Sequence, residues 1–181
     1  GDFRDVPIAE LKTEAVLAQR QARLVTVRVR GVVTFNDQIG NDWYTFVQDE
    51  SSCVRVQWRL RSSRQALQVG DWIEMTGTPA LTETGVELAA HGFTRRGAGD
   101  LPEAVRFPVE AAKAKTPDGW WAELEGVGRR SNAEDRLLLM TRSGSHEIWT
   151  GSVPAAHFTN WINAQVRVRG VLLRRPDPVL L

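Results

Sequence analysis

The residue types that most often carry catalytic chemistry are sparse and scattered in this sequence. The three histidines, His91, His146 and His157, are far apart, and none forms a metalloprotease pattern with a carboxylate. Cys53 is the only cysteine, which excludes an intramolecular disulfide and a multi-cysteine metal site. A Gly-x-Ser-x-Gly nucleophile elbow and a Walker loop are both absent from the sequence. We therefore predict no catalytic, cofactor-binding or metal-binding residue, and a chain that is not an enzyme.

A different chemistry, the stacking of aromatic rings on nucleobases, is suggested by two neighbouring segments. Residues 43–48 and 53–58 have the alternation of strands, and their aromatic and arginine side chains are the types that single-strand binders use. Successive residues of a strand point to opposite faces, so one set must fill the core and the exposed face keeps only one or two aromatic rings. The candidate surface for a ligand or a nucleic acid comprises Trp43, Tyr44, Arg55, Trp58, Arg59 and, further along the chain, Trp120.

The elements that would position these residues change character near residue 24. Residues 1–23 are predicted as a helical leader, because Ile8, Leu11 and Ala15 recur at helical spacing. Residues 24–96 instead alternate with period two, in short segments separated by Gly, Asn and Asp turns, with one polar insert that suits a short helix. Five short strands with a helical insert between the third and the fourth predict an OB-type barrel.

The same order of segments returns in the second half of the chain. Ala122–Val127 resembles Val27–Val32, since each has two alternating apolar residues followed by Gly and Val. Residues 119–181 are predicted as a second OB-like barrel, joined to the first by a Gly-, Pro- and Ala-rich linker at 97–118. Its fifth strand is not evident, so either Val179–Leu181 supply a short strand or the barrel is left open by truncation, which we expect. The predicted fold class is all-β with minor helices, as two tandem five-stranded OB-like barrels of which the second is incomplete.

Several short motifs follow one another through both repeats at characteristic separations. They are Leu11–Gln19 with its Glu14-Ala15 pair, Val27–Thr34, Asp37, Phe46–Asp49, Val69–Asp71, Gly77, Gly99–Phe107, Trp120–Val127 and Val166–Val171. Over residues 8–172 this succession resembles the extracytoplasmic sensor region of some bacterial two-component histidine kinases and hybrid kinases. In that family a tandem of OB-like barrels precedes a transmembrane helix and a cytoplasmic kinase.

The resemblance implies a non-catalytic sensor module that binds an unidentified small-molecule or protein ligand and belongs to a membrane-anchored parent protein. The module would then be periplasmic or otherwise extracytoplasmic, with the kinase in a missing C-terminal part. The sequence contains no apolar run near the roughly 20 residues that span a bilayer, and it does not begin with Met, so we expect a fragment from which a signal peptide or membrane helix is missing.

Two other functions stay open at this point. One is a cytoplasmic OB-fold protein that binds single-stranded nucleic acid, although the formal net charge of +1 supplies no global basic field for such a partner. The other is a carbohydrate- or protein-binding scaffold without a signalling role. A homodimer is also left open, and no cofactor is expected.

Overall fold

The computed structural model of this chain describes residues 3–59, 61–83, 85–106, 118–151, 153, 155–173 and 179–180. Contacts divide the chain into two compact units, Gly1–Asn36 with Tyr44–Pro102, and Asp37–Trp43 with Glu103–Leu181. Over the described ranges, no helix is both long enough and apolar enough to cross a membrane.

The first sheet closes into an OB-type barrel. Its elements are β1 (Arg4–Asp5), a 3-10 helix (Ile8–Glu10), α1 (Leu11–Arg20), β2 (Val27–Ile39), β3 (Asp42–Gln48), β4 (Cys53–Trp58), α2 (Arg61–Gln65), β5 (Asp71–Thr82) and β6 (Gly85–Ala98). Neighbouring strands follow the order β2-β3-β4-β6-β5, and β5 pairs again with β2. β4 pairs in parallel with β6, and helix α2 lies between the third and fourth barrel strands. The OB-type barrel predicted from the sequence is therefore confirmed.

Aliphatic side chains fill the interior of the first barrel because its strands alternate with period two. Val27, Val29 and Val33 of β2 and Ile73 and Met75 of β5 are all buried, and Val29 lies opposite Met75 in the strand register. The same cluster takes in Val47, Val54, Val56, Leu67, Leu88 and Ala90, together with Val6, Ile8 and Leu11 from the leader. The leader therefore contributes to the core of the first barrel.

Asp49 attaches this leader to the turn between β3 and β4. One carboxylate oxygen, Oδ1, accepts the N–H groups of Ser51 and Ser52, each at 2.8 Å. The other oxygen, Oδ2, accepts the N–H of Ile8 at 2.8 Å, an amide at the start of the 3-10 helix that has no partner inside that helix. A single carboxylate thus satisfies the turn and the helix start together.

The second sheet repeats this strand order. Its elements are β7 (Val105–Arg106), β8 (Trp120–Arg130), β9 (Arg136–Thr141), β10 (Gly144–Trp149), a 3-10 helix (Ala155–Trp161), β11 (Gln165–Leu173) and β12 (Val179–Leu180). The order β8-β9-β10-β12-β11 closes through the pairing of β11 with β8. Of the two alternatives for the fifth strand, a short strand is observed, since β12 pairs with both β10 and β11. Residues 107–117 of the predicted linker and 174–178 before β12 lie outside the described residues.

Strand register shows that the duplication includes a lead-in strand before each barrel. β1 runs parallel to β2 with Asp5 opposite Arg28, and β7 runs parallel to β8 with Arg106 opposite Glu123. Arg28 and Glu123 occupy the same position relative to the strand glycine, three residues before Gly31 and Gly126 respectively. Val105 and Arg106 fall within the segment that composition alone marks as a linker.

Two glycines, Gly31 and Gly126, occupy equivalent positions where the first strand of each barrel crosses the second. A Cβ on Gly31 would lie 2.7 Å from the carbonyl oxygen of Gln48, closer than real side chains approach backbone. A Cβ on Gly126 would overlap the carbonyl oxygen of Met140 in the same way. Only glycine allows this close approach of neighbouring strands, which explains the Gly in each repeat.

Candidate functional site

Tyr44 and Arg55, two of the predicted site residues, are in contact on one face of the first barrel. Tyr44 stacks on Phe46 with ring centroids 6.5 Å apart, because alternate residues of β3 share a face. The Arg55 guanidinium carbon lies 4.2 Å from the centroid of the Tyr44 ring, and its Nη1 lies 3.5 Å from the Glu87 carboxylate. Tyr44 is buried and Arg55 is half-buried. The guanidinium is thus held by a cation–π contact and an ion pair inside the barrel's own structure.

Trp58 lies on the opposite face of β4, with the core residues Val54 and Val56. Its indole N–H donates to Thr45 Oγ1 at 3.0 Å, and its ring meets Phe93 edge-on at a centroid distance of 5.5 Å. The Thr45 hydroxyl in turn donates to the side-chain oxygen of Asn36. Trp58 therefore packs against the core of the first barrel, and its indole N–H already has a hydrogen-bond partner.

The other three predicted residues occupy different environments. Trp43 is half-buried near the start of β3, and Arg59 is exposed directly after β4. Trp120, half-buried, begins β8 in the second unit. Over the part of the chain that the structure describes, Arg59 has no ion-pair partner.

The second barrel contains an arginine–aromatic pair that the sequence analysis missed. Arg136 of β9 lies directly opposite Trp149 of β10, and its guanidinium carbon is 4.2 Å from the centroid of the indole ring. Arg136 Nη1 also donates to Glu147 at 2.9 Å. The pairing of β9 with β10 determines this contact, and single-strand alternation does not reveal which residues lie opposite each other.

Each barrel also has one carboxylate surrounded by arginines across its first and fourth strands. In the first barrel, hydrogen bonds from Arg30 at 2.9 Å and from Arg96 at 3.0 Å hold the pKa of Glu74 below its usual value. In the second barrel, the pKa of Glu123 is lowered mainly by the hydrogen bond that Arg169 donates at 2.7 Å. Each of these arginines is therefore ion-paired with a carboxylate of its own barrel.

The signs of these charges are reversed between the two repeats. In the first barrel the arginine is on the first strand and the carboxylate on the fourth, with Arg30 opposite Glu74. At the equivalent pair in the second barrel, Glu125 is on the first strand and Arg167 on the fourth. Each pair forms an ion contact, at 2.9 Å and 3.6 Å respectively.

A cavity of about 450 Å³ opens in the second unit between the β8–β9 loop and the 3-10 helix 155–161. Leu137 and Phe158, both buried, line its apolar side together with the half-buried Ile162. Arg130 and Glu134, both exposed, line its polar side. The volume falls within the range of roughly 300–1,000 Å³ that is usual for small-molecule sites.

This cavity was not predicted from the sequence, although one feature of the sequence pointed to it. The loop after the first strand of an OB barrel is one of the two loops with which such barrels bind ligands, so a charged loop at 130–135 was a candidate. The apolar wall comes from the 3-10 helix 155–161, which follows the third barrel strand, and its approach to the loop depends on tertiary packing.

A second cavity, of about 360 Å³, lies in the first unit between α1 and the outer half of β5. Small apolar side chains dominate its walls, among them Ala15, Ala18, Ala22 and Pro79. Leu24 beside it is 89% exposed. This cavity offers apolar surface without a matched set of charges.

Among the residues the structure describes, no group of three or more His, Cys, Asp or Glu side chains is placed to hold a metal ion.

Comparison with known proteins gives structural likenesses only. No family model matches the chain, and no curated protein matches it. The hypothetical protein ygiW from E. coli is similar over 52% of this chain and 98% of its own, at 17% identity and a TM-score of 0.37. Asparaginyl-tRNA synthetase from Pyrococcus horikoshii is similar over 61% of this chain and 25% of its own length, at 17% identity and a TM-score of 0.42. A murine DNA binding protein bound with ds DNA is similar over 84% of this chain and 92% of its own, at 11% identity and a TM-score of 0.38.

Proposed function

We propose that this chain is a non-catalytic ligand-binding sensor module, the extracytoplasmic part of a membrane-anchored bacterial two-component histidine kinase. The observation that carries the proposal is a cavity at the first loop of the second barrel, with an apolar wall and two charged side chains that have no ion-pair partner among the described residues. A binding module needs such a cavity and needs no catalytic constellation.

The succession of motifs along the chain supports the signalling part of the proposal. It extends over both repeats, and it resembles the sensor region of histidine kinases in which tandem OB-like barrels precede a membrane helix. Ligand binding would act on the kinase by favouring one conformation of the module over another, since a ligand shifts such an equilibrium only through its different affinities for the two states.

Binding of single-stranded nucleic acid is the second candidate, and the OB topology itself favours it. OB barrels bind oligonucleotides on the second and third strands, which are β3 and β4 in the first barrel, and Arg59 is exposed at the end of β4. Stacking, however, requires accessible rings. Tyr44 is buried beneath Arg55, and Trp58 is packed against the core, so these two rings are not offered to a base.

A titration with two classes of ligand separates the candidates. Thermal unfolding of the chain is measured with a panel of small metabolites, and binding of a labelled single-stranded oligonucleotide is measured at about 50 and 200 mM salt. The sensor proposal predicts that at least one metabolite raises Tm saturably, because a ligand at 100 times its Kd stabilises the folded state by about 2.7 kcal/mol. It also predicts no salt-sensitive oligonucleotide binding. Tight oligonucleotide binding that weakens steeply with salt would instead establish the second candidate.

The gene provides an independent test. The coding sequence around these residues is expected to specify a membrane-spanning segment and, downstream, a histidine kinase. In the reconstituted full-length protein, the metabolite that raises Tm is expected to change the autophosphorylation rate. A reading frame without a membrane segment and a kinase would contradict the sensor proposal, whatever the chain binds.

A further inference from the structure

Arg130 and Glu134 line the cavity of the second barrel without ion-pair partners of their own. Most charged side chains on the strand faces are paired, including Arg136 at the same cavity, which bonds Glu147. Across the described residues, neither Arg130 nor Glu134 contacts an opposite charge, and they do not pair with each other. An arginine and a glutamate left open on one cavity are complementary to a ligand that carries both a negative and a positive charge.

The apolar wall of the cavity is complementary to an uncharged side chain on that ligand. Leu137 is 1% exposed and Phe158 is 6% exposed, so both are fixed by their own packing. Phe158 is further held by a ring contact with Trp161, with centroids 4.8 Å apart. Leu137 and Phe158 are already almost excluded from water, so an apolar group placed against them and Ile162 would gain mainly by removing its own surface, and the exposed part of Ile162, from water.

The two walls of the cavity are attached to each other at one end. The N–H of Asn163 donates to the carbonyl oxygen of Gly128 at 2.8 Å, and Arg129 donates to the Asn163 side-chain oxygen. Gly128 is required here, because a Cβ at this position would overlap the carbonyl oxygen of Trp161. This attachment holds Arg130, the last residue of β8, beside the 3-10 helix that supplies Phe158. Such preorganisation lowers the entropic cost of binding.

We propose that this cavity binds an apolar α-amino acid. The ligand carboxylate pairs with Arg130, its ammonium group pairs with Glu134, and its side chain lies on the wall formed by Leu137, Phe158 and Ile162. Arginine is suited to the carboxylate because its planar group donates two parallel hydrogen bonds. The inference rests on the proposed ligand-binding function and names the substrate class of the same site.

Calorimetric titration of the whole chain with a matched set of compounds tests each contact. The compounds are L-phenylalanine and L-leucine, 3-phenylpropionate, which lacks the ammonium group, phenethylamine, which lacks the carboxylate, and glycine, which lacks the side chain. We expect the two apolar amino acids to bind and each of the other three to bind at least about tenfold more weakly. The reason is a lost hydrogen bond to a charged group for 3-phenylpropionate and phenethylamine, and lost apolar burial for glycine.

Two charge-removing variants identify which residue recognises which group. Arg130→Gln is expected to weaken L-phenylalanine by about tenfold or more while leaving phenethylamine unchanged. Glu134→Gln is expected to weaken L-phenylalanine similarly while leaving 3-phenylpropionate unchanged. Arg142→Gln and Glu83→Gln, at exposed turn positions outside the cavity, are the matched controls and should change nothing. All four positions are exposed, so the variants should fold, which circular dichroism checks.

The outcomes separate this inference from the proposed function. If amino acids do not bind, or bind equally to the Arg130 and Glu134 variants, the amino-acid site is refuted, even when another metabolite raises Tm and changes kinase activity. If L-phenylalanine binds as expected but the full-length kinase does not respond to it, the site stands and the sensor proposal fails.

Discussion

Replacement of Gly126 by alanine tests the claim that close strand approach dictates the glycines of both repeats. The added methyl group would overlap the carbonyl oxygen of Met140 and lie 3.1 Å from Leu139 Cγ, so the backbone of β8 or β9 must move. At Gly31 the obstacles are the carbonyl oxygen of Gln48 and Val47 Cγ1, both at 2.7 Å. Gly92 in β6 is the matched control, since a methyl group there would meet nothing within 4 Å.

The expected magnitudes have opposite signs at the two kinds of position. Overpacking lowers the free energy of unfolding by about 1–3 kcal/mol. Replacing Gly by Ala also reduces the conformational entropy of the unfolded chain, which raises the free energy of unfolding by about 0.4–1 kcal/mol. The two terms leave a net loss between about 0 and 2.6 kcal/mol, and the upper part of that range is expected because the obstacle at both glycines is a backbone carbonyl group. Gly126→Ala and Gly31→Ala should therefore each lower the free energy of unfolding by about 1–2.5 kcal/mol, which corresponds to a Tm lower by roughly 4–20 °C for a domain of 60–100 residues. Gly92→Ala should leave stability unchanged or raise it by up to about 1 kcal/mol.

Urea unfolding at 25 °C, followed by circular dichroism and tryptophan fluorescence, measures these differences. The reasoning would be refuted by Gly126→Ala and Gly31→Ala variants as stable as the unaltered chain. It would equally be refuted if Gly92→Ala lost as much stability as they do, because the effect would then belong to any strand glycine.

Three further predictions concern polar contacts. Thr45→Val should lower the free energy of unfolding in urea by about 1–3 kcal/mol, because it leaves the Trp58 indole N–H without its acceptor. Thr45→Ser keeps a hydroxyl acceptor and should lower it by less. Asp49→Ala should lower the free energy of unfolding by about 2 kcal/mol or more and make the leader more susceptible to proteolysis, because it removes the acceptor shared by the turn and the 3-10 helix. An unchanged proteolysis rate would contradict this attachment. The hydrogen bond from Arg169 lowers the pKa of Glu123 in the folded state. The ionised Glu123 carboxylate therefore stabilises the fold at pH values above its unfolded-state pKa of about 4.3, and this stabilisation is lost as the pH falls through the lower folded-state pKa. Glu123→Gln should therefore flatten the decline in Tm below about pH 4.3, and an identical acid profile would show that the pair does not contribute.

Local alternation predicted the strands and their faces, and the helical insert between the third and fourth strands predicted the OB-type order. In each barrel the first strand is identified by two alternating apolar residues and a following glycine, because the interior needs apolar side chains and the close approach of strands needs a residue without one. These residues are Val27, Val29 and Gly31 in the first barrel and Ala122, Leu124 and Gly126 in the second. Because successive residues of a strand alternate between its two faces, the sequence also predicts that Trp58 and Arg55 lie on opposite faces of β4, as the structure shows.

Features that depend on pairing between distant segments could not be predicted in this way. The two-residue strand at Val105–Arg106 has no pattern of its own, and it is extended because it pairs with β8. The contact between Arg136 and Trp149 requires the register of two strands. The cavity requires a loop and a 3-10 helix separated by about 20 residues of sequence, which only the closed barrel brings together.

The reversed charges of the two repeats also bear on how a duplicated chain reaches its correct topology. Tandem copies of one fold can exchange strands during folding, and exchange of first strands between the repeats would place Arg30 opposite Arg167, and Glu125 opposite Glu74. Like charges opposite each other destabilise a strand pair, whereas the native partners attract. The reversed signs therefore favour the pairing of each first strand with the fourth strand of its own barrel over pairing with that of the other repeat.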